Sequence, residues 1–89
     1  MSDTPNEARA NAAEIEFLRA ELLTGLTLSK IARSSDGDKR ERNRVNARKA
    51  YDSILRFMPK SDLLGEELDE IKSKLELLRA ELRLLGEAI

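Results

Sequence analysis

The sequence predicts an all-α fold, a three-helix antiparallel bundle, on three observations. Apolar residues recur at helical spacing, and the composition is rich in Ala, Leu, Glu, Lys and Arg. Two prolines and four glycines punctuate the chain into three segments joined by short connections. Short connections make consecutive helices pack antiparallel. The expected helices cover residues 5–34, 38–58 and 62–86, after a polar tail at residues 1–4, in a single domain spanning 1–89.

The first helix has a strong start signal. Thr4 caps, Pro5 fills the first helical position and Glu7 completes a capping box. Its apolar face then changes at Gly25. Ala8, Ile15, Leu18, Leu22 and Leu26 share one side of a helical wheel, whereas Phe17, Leu28, Ile31 and Ala32 lie on another. Either the helix is kinked or broken near Gly25, or it is continuous and apolar on two faces. A two-faced helix must be packed between partners, and in so small a chain that suggests a second copy. Gly37 sits where a left-handed residue would end the segment.

The second helix is expected to open on a capping box, Asp38-Lys39-Arg40-Glu41, and to stop at Pro59. Ala47, Ala50, Tyr51, Ile54, Leu55, Phe57 and Met58 form its apolar stripe, and Arg40, Asn43 and Arg44 continue that stripe through the first turns. The third helix starts between Ser61 and Gly65. It carries Leu64, Leu68, Ile71, Leu75, Leu78, Leu82, Leu85 and Ile89, a 4-3 alternation with the character of a coiled-coil seam. Leu63, Leu77 and Leu84 widen it. Asp62, Glu66, Asp69 and Glu70 are expected on the opposite, solvated face, complementing the helix dipole. The expected core is Ile15, Leu18, Leu22, Leu26, Ala47, Tyr51, Ile54, Met58, Leu68, Ile71, Leu75, Leu78 and Leu82.

Composition narrows the function. With no Cys and no His, thiolate and imidazole chemistry are excluded, leaving carboxylates, lysines and Tyr51 as bases. No glycine-rich phosphate loop follows a strand, and no nucleophile motif surrounds Ser34-Ser35. The expectation is a non-enzymatic protein with no cofactor and no metal. No apolar run approaches the ~20 residues of a membrane span, and the polar, acidic N-terminus does not read as a signal peptide, so a cytoplasmic protein is expected.

Charge is balanced, with 16 basic and 17 acidic side chains, so a polyanion-binding role would rest on local segregation. Such segregation exists in KRERNRVNARKAY, residues 39–51. Lys39, Arg40, Arg42, Arg44, Arg48 and Lys49 are its six cations, and on a wheel they encircle the helix. Structurally, they would suit the negative ends of the first and third helices, beside Glu81, Glu87 and the terminal carboxylate. Functionally, they are candidate nucleic-acid contacts.

Two fragments resemble nucleic-acid-binding families. GLTLSKIA, at 25–32, is similar to the opening helix of a helix-turn-helix, although Asp36 takes the place of its glycine turn and Arg42 that of its apolar anchor. ERNRV, at 41–45, with Leu55-Arg56 and Pro59, resembles the basic region and first helix of basic helix-loop-helix factors. That likeness implies base contacts from Glu41 and Arg44. Asp52 stands where that family has an aromatic core residue, and the third segment lacks its basic second-helix start.

The leading expectation is a protein–protein interaction or assembly module, a homodimer or the partner of another helical protein, with Phe17, Leu28 and Ile31 as contacts. The alternative is a small DNA- or RNA-binding regulator that uses the basic helix start at residues 39–49. Neither a membrane nor a small-molecule substrate is implied.

Overall fold

The computed structural model describes residues 4–89, with side chains from Ala12 onward. The protein is all-helical, and three helices pack against one another: α1 (Thr4–Arg33), α2 (Gly37–Phe57) and α3 (Gly65–Leu84). A single 3-10 turn, Met58–Lys60, follows α2, and its Pro59 denies the helix a further backbone donor. The cap expected at Thr4 and Glu7, and Ala8 of the apolar stripe, lie outside the residues whose side chains are described.

α1 is one helix through Gly25. A Cβ at Gly25 would stand 2.6 Å from Leu78 Cδ2 and 3.4 Å from the Ala50 methyl, so all three helices converge there. The residue read from sequence as an interruption is therefore a point of close approach. Ser29, one turn on, is fully buried, and its hydroxyl donates to the Gly25 carbonyl at 2.6 Å. That bond removes the cost of burying the hydroxyl. Gly25, Ser29 and Ala32 form a small-residue row on α1, and Ala47 and Ala50 are the buried small residues of α2.

Every residue expected in the core is buried or, for Leu26, Met58 and Leu68, packed partly buried against it. Ala32, Leu63 and Leu85 join them. The long dimension of the rod is 56 Å, but its cross-section is only 18 × 17 Å, so no helix is enclosed and each keeps an outer face.

The seam on α3 differs from expectation at its start. Leu64 is 79% exposed, because it is the N-cap with extended backbone (φ −140°, ψ 159°) and falls outside the helical phase. Leu63 is buried instead. Leu77 and Leu84, which looked like a widening of the core face, are exposed.

The ends of the helices are also specific. Asp36, not Asp38, is the N-cap of α2, and its side chain makes no cap hydrogen bond. The expected box between Asp38 and Glu41 is replaced by a Glu41–Arg44 ion pair. Gly37 is left-handed at φ 57°. At the end of α3, Gly86 has φ 99°, the Gly86 N–H donates to the Arg83 carbonyl and the Glu87 N–H donates to that of Leu82, both at 3.0 Å. This pair of bonds is a Schellman motif, which satisfies the last carbonyls and turns the chain back.

Candidate interaction surfaces

α2 carries seven cations against three acids, the strongest charge segregation in the chain. The structure divides the six cations singled out in sequence into two sets. Arg40 reaches the end of α1, where its Nη1 donates to the Ala32 carbonyl at 3.2 Å. Ser34 and Ser35 donate to the Lys30 and Ile31 carbonyls nearby, so side chains satisfy the open end of α1. Arg44 and Arg48, one turn apart, both grip Glu87. The Arg48 Nη1 donates to Glu87 Oε1 at 2.6 Å, and Arg44 pairs with the other oxygen. The Glu87 side chain is only 9% exposed, so a nearly buried carboxylate is matched by two guanidiniums.

The Schellman turn at Gly86 is what brings Glu87 to α2. The other acids expected beside the basic segment bond elsewhere. Glu81 accepts from Arg33 at 2.7 Å, and the Ile89 carbonyl oxygen accepts from Arg83 at 2.5 Å.

Lys39, Arg42 and Lys49 form the second set. They are exposed and make no ion pair among the described residues. Arg56 belongs with them, although sequence reading grouped only the cations of residues 39–49. Its signal was a spacing of seven: Arg42, Lys49 and Arg56 share one line along α2.

The apolar candidates also separate. Phe17 meets Phe57 edge to face, with ring centroids 5.3 Å apart. The two rings, with Ala13, Glu14, Leu18, Lys60 and Ser61, line a groove of about 310 Å³ at one end of the rod. The Lys60 ammonium lies 5.5 Å from the Phe57 ring centre, a cation–π contact at the rim. Leu28 packs partly buried against the core, and Ile31 is half-buried. The most open apolar residues within helices are others: Leu23 at 68%, Leu77 at 60% and Leu84 at 65%.

The acidic start of α3 is not uniformly solvated. Glu70 turns to α1, where Arg19 Nε and Nη2 each donate to one carboxylate oxygen at 2.8 Å. Lys74 adds a bond at 3.3 Å. The Arg19 fork and then Lys74 hold the Glu70 carboxyl down at about 2, while the same pairing raises the Arg19 guanidinium. Among the described residues, no group of three or more acids is placed to hold a metal ion. No described helix is long and apolar enough to cross a membrane. No protein-family model, curated protein or solved structure matches the chain.

Proposed function

We propose that the chain is a non-enzymatic assembly module, a single three-helix domain over residues 1–89 that pairs with a second copy of itself. Consecutive helices run antiparallel in this reading. Support comes from Phe17 meeting Phe57, Gly25 approaching Ala50 and Arg40 reaching Ala32, an order that runs forward on α1 and backward on α2.

The observation that carries self-association is the openness of Leu23, Leu77 and Leu84 on α1 and α3. Leu77 and Leu84 are seven residues apart and share a face, as in a second coiled-coil line beside the buried one. Gly25 approaches Leu78, so Leu23 and Leu77 stand at about the same level of the rod. Isolated exposed leucines need no explanation, but three on neighbouring helices form a patch that a second copy would remove from water. Phe17 is a further contact through its groove. Leu28 and Ile31 contribute through their accessible parts. The same reading has the protein working in the cytoplasm.

Analytical ultracentrifugation tests it. A dimer is expected at tens of micromolar, converted to monomer by Leu77→Gln with Leu84→Gln while helicity is kept. A wild-type chain that sediments strictly as monomer overturns the reading.

A further inference from the structure

We propose that the outer face of α2 binds the phosphate backbone of a nucleic-acid duplex through Lys39, Arg42, Lys49 and Arg56. None of these residues lies on the leucine patch, so duplex binding does not depend on self-association.

Ion pairing within the chain creates this face. Of the three acids on α2, Glu41 is drawn to Arg44 and Asp52 to Arg48, where the Nε–Oδ1 distance is 3.0 Å. Arg40 is bonded to the end of α1. The arginines that look most suited to a polyanion therefore neutralise acids or cap a helix, and those acids pair with them rather than with Lys39, Arg42, Lys49 or Arg56. Only Asp38, at the first turn, stays exposed and unpaired among the described acids of α2. What remains is an exposed cationic row, with Asn46 and Ser53 between as further hydrogen-bonding groups.

Spacing and residue type point to a duplex. Arg42, Lys49 and Arg56 are seven residues apart, hence about 10.5 Å along the helix, close to the ~12 Å width of a major groove between phosphate strands. A single strand would need aromatic platforms for its bases. Tyr51 is buried, and Phe17 and Phe57 pack on each other, so the row has none to offer. A lipid surface would favour a run of apolar residues interleaved with the cations, and here Asn46, Asp52 and Ser53 lie between them, with Val45 the one apolar residue on that face, 36% exposed. The row presents point charges to phosphate without a defined reader of base edges, so binding is sequence-independent and salt-sensitive.

Fluorescence anisotropy with a labelled DNA duplex of about 20 base pairs tests the inference, and four cations predict a log–log salt slope no steeper than about −3.6. The variant Lys39→Gln/Arg42→Gln/Lys49→Gln/Arg56→Gln should lose at least about tenfold in affinity at low salt and keep its melting temperature. A control, Lys30→Gln/Lys72→Gln, removes exposed cations from α1 and α3 and should bind as wild type. Failure of the wild type to bind duplex at low salt overturns the inference. So does retention of affinity by the fourfold variant, an equal loss in the control, or binding to anionic phospholipid vesicles but not to duplex.

Discussion

The Glu87 carboxylate lies 2.6 Å from the Arg48 guanidinium, across 39 residues of sequence, and Arg44 holds its second oxygen. The three side chains fasten the end of α3 to the middle of α2, where the apolar stripe begins at Ala47. Glu87 is almost enclosed, but Arg44 and Arg48 remain 25% and 35% exposed, so solvent screens part of the attraction. Glu87→Gln should therefore cost about 1–2 kcal/mol, below the penalty for a fully buried pair. Urea unfolding measures it. A double-mutant cycle of Glu87→Ala with Arg48→Ala should give a coupling above about 0.5 kcal/mol, and an additive cycle would mean that the pair contributes nothing.

Gly25 sets the distance between α1 and its neighbours. A methyl group there would lie 2.6 Å from the end of a fully buried Leu78 side chain, which must shift to admit it. Overpacking of about 2 kcal/mol is opposed by about 1 kcal/mol of regained helix propensity, so Gly25→Ala should destabilise by about 1 kcal/mol. Gly25→Val enlarges the clash and regains less propensity, for a loss of about 2–3 kcal/mol. Thermal melts of the two variants should separate in that order. Stabilisation by Gly25→Ala would show that the helices part easily there.

Periodicity made the three helices and most of the core readable, because a residue such as Ile54 or Leu78 is buried by its place on a wheel. It left Gly25 open between a kink and a continuous two-faced helix, because a wheel that weights only large apolar residues sees a gap where Gly25, Ser29 and Ala32 form a row of small residues. Leu64 was misplaced for a related reason. A 4-3 pattern holds only while the helix lasts, and the helix begins at Gly65. Glu87 was expected near the basic segment from the topology, but which cations it takes depends on the Gly86 turn and was not readable from the segment itself. The charge of Arg42, Lys49 and Arg56 was visible, but their isolation was not, because isolation is set by where Glu41, Asp52 and Glu87 find partners.

The Arg19–Glu70 pair should make stability fall in acid. Glu70 titrates at about 2 in the folded protein, against 4.5 ordinarily. Its stabilising effect is thus present above about pH 4.5 and is lost as pH drops toward 2. Both side chains keep solvent contact, so the effect is small and salt reduces it. Melting temperature recorded between pH 6 and 2 should decline less for Glu70→Gln than for wild type over the acid range. Parallel declines would remove Glu70 as a contributor.

Gly86 links backbone conformation to the Glu87 contact. At φ 99° it lies beyond the usual left-handed region, whereas Gly37 at φ 57° lies within it. At neither glycine would an added methyl group meet another atom within 4 Å, so an alanine at either site would suffer backbone strain rather than a clash. Gly37→Ala should cost about 1 kcal/mol and Gly86→Ala about 2 kcal/mol, the excess including loss of the Schellman turn that aims Glu87 at Arg44 and Arg48. That excess should shrink when Gly86→Ala is introduced into Glu87→Gln, because the contact it disturbs is already gone. Equal costs in both backgrounds would show that the turn and the ion pairs are independent.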